Sequence, residues 1–158
     1  MLSENTLRMI GKAGEVKILE VEKGAIKKYA DAVGETNPLY WDNEYAEGSR
    51  HGAMIAPPGF FGWPTQWTAA MPFHENLQLD LMEALGKDGY TRVLDGGIAF
   101  EFMHLVRAGD VLACLSRIVS VVEKESKSGS MSVSQIQATY TNQNGDVVAK
   151  ATKTIIIR

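Results

Sequence analysis

The spacing of apolar positions changes character along this chain, and each change marks an element. Residues 15–22 carry Val16, Ile18 and Leu19 and predict a short strand. After Gly24 the period lengthens. Ile26, Tyr29, Ala30 and Val33 fall at i, i+3, i+4 and i+7, one stripe of a helix facing a core. Gly34 supplies its C′ residue. Asn37-Pro38 forbids continuation, because the residue before proline avoids the α region. From Tyr40 to Pro57 no period is visible, and glycine, charge and aromatics read as loop. Pro57-Pro58-Gly59 then opens a strongly apolar run through Phe60, Trp63, Trp67 and Met71. Proline at a helix's first position has no N–H to lose, so Pro58 suits N1 of a buried helix, with Pro64 shortening or bending it. Residues 76–85 predict a second helix, with Leu77, Leu81 and Leu85 on one stripe and Gly86 as its stop.

The texture of residues 92–158 is that of three or four long strands with turns between them. Arg107-Ala108-Gly109-Asp110 is one turn, and residues 124–130, with Gly129, form a hairpin loop. Asn144-Gly145 signals a type I′ hairpin. In the last strand Lys150, Thr152 and Thr154 share one face, and Ala149, Ala151, Ile155 and Ile157 the other. A very hydrophobic helix followed by an antiparallel meander predicts an α+β fold in which the sheet curls around that helix.

Composition narrows the function. At 158 residues, 45% apolar and 22% charged, the chain reads as one domain, residues 1–158, able to bury a full core. A net charge of -3 with interspersed signs argues against nucleic acid or anionic membrane as partner. No run approaches the ~20 apolar residues of a membrane span, and residues 1–14 lack the apolar segment of a secretion signal. The one cysteine, Cys114, lies in an apolar run and reads as a buried, inert thiol. A cytoplasmic location fits these features. No spacing of His, Cys, Asp and Glu suits a metal, no phosphate loop appears, and no cofactor is expected.

The chemistry-bearing stretch is Glu35-Thr36-Asn37-Pro38-Leu39-Tyr40, directly behind the first helix. Tyr29 through Tyr45 resembles the hydratase motif of the MaoC-like hotdog family, with Asn37-Pro38 the best match. Leu94-Asp95-Gly96-Gly97, Phe100-Glu101-Phe102, Val106 to Asp110 and Tyr140 to Asp146 resemble its strand region. The nearer likeness is to the FAS1-like dehydratase domain, the N-terminal and often non-catalytic hotdog of two-hotdog dehydratases. The resemblance implies a hotdog fold and a lyase acting on acyl-CoA or acyl carrier protein. It implies interconversion of trans-2-enoyl and (R)-3-hydroxyacyl thioesters, with another hotdog subunit as partner in a homo- or hetero-oligomer. In active members an Asp and a His hold the water, and Glu35 and Tyr40 fall at those positions. Glu35 is still a carboxylate, one methylene longer. Tyr40 is a donor at neutral pH, its ordinary pKa being about 10, and makes a poor proton relay. The resemblance therefore implies that this chain binds the acyl group while a partner supplies the Asp/His pair.

Each of these residues also has a plainer role. Glu35 can be a solvated turn residue, Tyr40 can pack with Trp41, and Asn37 before proline is a routine turn former. Asn37, Pro58 and Gly59 are assigned to substrate binding, the last two through free N–H groups at the buried helix's start, and these two can equally just begin that helix. His51, His74 and His104 read as loop, surface and strand-end residues, with His51 the one that could replace a missing relay. Two alternatives accompany the hydratase reading: a non-enzymatic acyl-CoA-binding hotdog protein, and a self-sufficient homodimeric hydratase using Glu35. A hotdog thioesterase needs a carboxylate on the central helix, and residues 60–71 contain none.

Overall fold

A computed structural model describes residues 1–60, 77–126 and 129–158. In it five antiparallel strands form one sheet in the order β1-β3-β4-β5-β2. The strands are β1 (Lys17–Glu20), β2 (Val93–Phe102), β3 (Val111–Ser126), β4 (Gly129–Thr141) and β5 (Val147–Ile157). β3, β4 and β5 are a true meander. β2 is not part of it, because it pairs with β5 at the far edge, leaving β1 to close the sheet beside β3. The expected meander over residues 92–158 is corrected in this respect.

The helices are α1 (Glu4–Leu7), α2 (Lys23–Ala32), α3 (Asn43–Gly48) and α4 (Leu77–Lys87), with a 3-10 turn over Pro38–Tyr40. Helix α2 is the one that the apolar stripe predicts, with Ile26 and Ala30 fully buried. Val33, placed on the same stripe, caps the helix instead and is exposed. Helix α4 buries Leu77, Leu81 and Leu85 as expected, but Gly86 does not stop it. Termination falls at Gly89, φ +94°. Tyr90 N–H donates to Leu85 O at 2.9 Å and Gly89 N–H to Gly86 O at 3.1 Å, the two bonds of a Schellman motif.

Two further expectations are corrected. Helix α3 lies inside the stretch read as loop, and Asp42 caps it by accepting from Tyr45 N–H at 3.1 Å. The Asn144-Gly145 hairpin is not type I′, which needs positive φ at both central residues. Gly145 has φ +88°, while Asn144 is not in the positive region. Gly145 N–H donates to Asn142 O at 3.0 Å, and the Asn142 side chain accepts from Asn144 and Asp146 N–H. That is a type I turn followed by a left-handed glycine. At the β3–β4 hairpin, pairing continues to Ser126 and Gly129, so the loop is tighter than residues 124–130.

Two buried clusters lie against the sheet. One gathers Ile26, Ala30, Tyr40, Met54, Phe60, Leu112 and Tyr140 under α2 and the 35–60 segment. The other gathers the three leucines of α4 with Tyr90, Ile118, Ile136 and Ile155. The predicted helix from Pro58 to Met71 lies, beyond Phe60, outside the described residues, as do Pro64, His74 and the expected helix start at Asn76. Cys114 is half-buried, and burial raises its thiol above the ordinary value.

Candidate functional site

The site is built outward from the C-terminal end of α2. Gly34, φ +70°, is the C′ residue of a second Schellman motif. Glu35 N–H donates to Ala30 O at 2.8 Å, and Gly34 N–H to Asp31 O at 3.1 Å. Glu35 therefore occupies the C″ position, and the helix ending fixes where its side chain starts. Its carboxylate folds back on the next turn: Oε1 accepts from Thr36 N–H at 2.9 Å and from Asn37 N–H at 3.0 Å. Oε2 has no protein partner among the described residues. Trp41 Nε1 donates to Glu35 O at 2.7 Å and ties the corner from the other side.

Asn37 does what a turn former does. Its Oδ1 accepts from Leu39 N–H at 3.1 Å and caps the 3-10 turn, and the side chain is exposed. Tyr40 ends that turn with its ring 9% exposed. Burial raises its phenol above the ordinary value, and the charge of Glu35 raises it further. Glu35 and Tyr40 are thus close enough to feel each other, although no hydrogen bond joins them among the described residues. At neutral pH the pair is a carboxylate beside a phenol that keeps its proton.

Pro58 and Gly59 sit elsewhere in sequence but touch the same helix. Gly59 has φ +85°, which no interior position of a right-handed helix tolerates, so Pro58 is not N1 of a helix. Phe60 N–H donates to Pro57 O at 3.2 Å, closing a turn with proline second and left-handed glycine third, the type II pattern. Tyr29, on α2, covers this turn. Its hydroxyl lies 3.5 Å from Pro58 O, and its ring meets Phe60 edge-on at 5.9 Å. A Cβ at residue 59 would lie 2.5 Å from that hydroxyl oxygen. Tyr29 immediately precedes Ala30, the acceptor for Glu35 N–H. Helix α2 therefore brings the Glu35–Tyr40 corner and the Pro58–Gly59 turn to neighbouring positions.

Tyr29 and Trp41 are the residues that sequence reasoning missed as parts of the site. Sequence places Tyr29 on an apolar stripe and at the start of the Tyr29–Tyr45 motif, and Trp41 inside that motif as a packing partner of Tyr40, without giving either a role in the site. His51 does not join the corner: its Nε2 accepts from Arg50 Nε at 3.3 Å, and its carbonyl from Arg107 Nε at 3.4 Å. His104 is exposed at the end of β2. A cleft of about 600 Å³ between α1 and α4 is lined by Lys12, Asp80, Glu83 and Lys87, which pair with one another as Lys12–Asp80 and Lys87–Glu83. Asp88, which also lines it, accepts from Ser3 N–H at 2.9 Å, and no residue of the corner lines the cleft. Among the described residues no helix is long and apolar enough to cross a membrane, and no three His, Cys, Asp or Glu side chains group to hold a metal.

Sheet, helices and corner together define a hotdog protein, and the comparisons agree. The chain belongs to the family described as FAS1-like, dehydratase domain region, which matches residues 8–151. It is 32% identical over 139 residues to a UPF0336 protein of Streptomyces griseus, covering 88% of this chain and 85% of that one. It is 30% identical over 129 residues to a probable enoyl-CoA hydratase alpha subunit of Thermomonospora curvata, covering 78% of this chain but 40% of the relative. Among solved structures, a chain of the ChsH1-ChsH2 complex of Mycobacterium tuberculosis superposes with TM-score 0.81 at 16% identity, covering 97% of this chain and 93% of that one. A chain of the HadBC (3R-hydroxyacyl-ACP dehydratase) complex of the same organism gives TM-score 0.71 at 21% identity, covering 94% and 96%.

Proposed function

We propose that this chain, one hotdog unit over residues 1–158, is the acyl-binding subunit of an acyl-thioester hydratase or dehydratase. A second hotdog subunit supplies the proton-transfer pair. The reaction is the interconversion of trans-2-enoyl and (R)-3-hydroxyacyl thioesters, carried on coenzyme A or acyl carrier protein. The observation that carries the reading is the corner itself: a carboxylate pinned through one oxygen, beside a buried phenol that stays protonated.

Water addition across a C2–C3 double bond needs a base at C3 and an acid at C2. Glu35 Oε2, without a protein partner among the described residues, can hold a water. Tyr40 can donate to a thioester or hydroxyl oxygen, but a phenol pushed upward cannot take and return a proton near neutral pH. The chain thus has the means to position a substrate and half of the means to turn it over. Asn37 holds the corner through its Oδ1, and the Pro58–Gly59 turn offers backbone to the acyl group.

Need for a partner follows from the sheet edge. β2 is an edge strand of ten residues, and Ile98 (46% exposed), Phe102 (49%), Met103 (41%) and Leu105 (46%) lie on it or just after it. A long apolar edge with unpaired backbone is a pairing surface. The relative called a hydratase alpha subunit and the two-subunit dehydratase complex support the same arrangement. The test is crotonyl-CoA hydration by the chain alone and with a co-encoded hydratase subunit. Turnover is expected only from the pair. Full activity from the isolated chain, abolished by Glu35→Gln, overturns the division of labour.

A second reading, a non-enzymatic acyl-thioester binder, is favoured by the use of Glu35 Oε1 and Asn37 Oδ1 within their own turn. It predicts saturable acyl-CoA binding without turnover in any pairing.

A further inference from the structure

We infer that Arg50 and Arg107 form the site that takes the phosphate of the substrate's carrier arm, an inference that rests on the acyl-thioester reading above. The two guanidinium groups converge on one residue. Arg50 Nε donates to His51 Nε2 at 3.3 Å, and Arg107 Nε donates to His51 O at 3.4 Å. Two like charges are therefore drawn to one residue.

Neither arginine has a carboxylate partner among the described residues, in a chain whose acidic side chains outnumber its basic ones, 19 to 16. The carboxylate in the same turn, Asp110, is committed elsewhere. Its Oδ2 accepts from Arg107 N–H at 2.8 Å and its Oδ1 from Gln143 Nε2 at 2.9 Å. Both arginines are exposed, and eight of their ten guanidinium N–H donors have no partner among the described residues. Paired, fork-shaped donors with no built-in anion fit the oxygens of a phosphate or carboxylate, and the carrier arm bears phosphate.

Placement ties this spot to the corner. Ile55 pairs with Arg107, Ala56 N–H donates to Val106 O at 2.8 Å, and Ala108 N–H to Met54 O at 2.9 Å. The paired segment runs straight into the Pro57–Phe60 turn that Tyr29 covers. Two residues lie between Ile55 and Pro58, so at most about 11 Å of chain joins them. An extended pantetheine arm, its thioester at the Gly59 turn, reaches phosphate donors at that range. His51, expected as a possible proton relay, instead holds the arginines in place.

The test uses equilibrium titration of the purified chain, with its partner subunit where one co-purifies. The probes are coenzyme A, pantetheine, and holo- against apo-acyl carrier protein. Phosphate-bearing coenzyme A is expected to bind at least about tenfold more tightly than pantetheine. Arg50→Gln and Arg107→Gln are each expected to weaken it about tenfold, leaving pantetheine unchanged. If the arginine dependence appears with holo-carrier protein and not with coenzyme A, the phosphate site stands and the carrier is the protein. Equal affinity for coenzyme A and pantetheine, with no arginine dependence toward holo-carrier protein either, overturns the inference. Arginine-dependent binding without hydration in any pairing would sink the enzymatic reading and leave this site standing. Hydration indifferent to both arginines would do the reverse.

Discussion

Gly59→Ala probes the contact that joins the two halves of the site. The substitution meets two separate obstacles. At φ +85° an alanine sits in the left-handed region, which costs about 1–2 kcal/mol. The new Cβ also lands 2.5 Å from the Tyr29 hydroxyl oxygen, far inside contact distance. Tyr29 cannot simply swing away, because its ring is packed edge-on against the fully buried Phe60. Relieving such an overlap costs about 1–3 kcal/mol more. The sum is a loss of about 2–5 kcal/mol, read as a lower urea midpoint at unchanged slope.

The double variant separates the two contributions. Tyr29→Phe removes the hydroxyl and leaves Cζ, 3.7 Å from the Cβ position, in ordinary contact. Alone it removes one long hydrogen bond of 3.5 Å and is expected to cost less than about 1 kcal/mol. In that background Gly59→Ala keeps only its backbone penalty, so the cycle yields a coupling of about 1–3 kcal/mol. Additive effects, with coupling below about 0.5 kcal/mol, would show that Tyr29 does not rest on the Pro58–Gly59 turn, and the proposed adjacency of the half-sites would fail.

Further outcomes are expected for a pair of glycines, Glu123 and Phe102. Gly86→Ala, inside α4 with open space around its Cα, is expected to stabilise by about 0.5–1 kcal/mol. Gly89→Ala, at φ +94°, is expected to destabilise by about 1–2 kcal/mol, and urea unfolding of the two variants reads both signs. Glu123 accepts from Ser130 Oγ and Tyr90 Oη, and these bonds hold its carboxyl near about 2, below the ordinary 4.5. Its folded value being depressed, its contribution is full above pH 4.5 and disappears as pH falls toward 2. Glu123→Gln should therefore flatten the fall in melting temperature across that window, and a variant with an unchanged acid limb would refute the assignment. Phe102→Lys on β2 is expected to weaken subunit pairing about tenfold or more in sedimentation, leaving the melting of the separated chain almost unaltered.

What could be read from sequence is what a single local rule controls. The α2 stripe and its Gly34 ending follow from period and from glycine's freedom at positive φ, and both are present. The leucines of α4 were legible for the same reason, whereas its ending was not. Gly86 and Gly89 look alike in sequence, and only the bonds to Leu85 and Gly86 carbonyls choose between them. Helix α3 was missed because Ala46 is its one buried residue, so no apolar period exists to detect. Asn-Gly marks two kinds of hairpin, and the Asn142 side chain selects the second.

The site was legible as a corner and not as a contact map. Glu35 and Tyr40 could be placed on one turn, but the folding back of Glu35 Oε1 onto its neighbours depends on the Schellman ending beneath it. Pro-Pro-Gly suggested a helix start, and its type II turn was hidden because proline suits the first position of either. The placement of β2 beside β5, which creates the apolar edge, is a topological fact with no local signature.

The most direct test of the account is the kcat and KM of the reconstituted pair carrying Glu35→Gln in this chain. If the chain binds and its partner performs proton transfer, KM for the enoyl thioester rises and kcat stays within about threefold of the parent pair. A fall in kcat of about a hundredfold or more at unchanged KM would make Glu35 the general base and contradict the central claim.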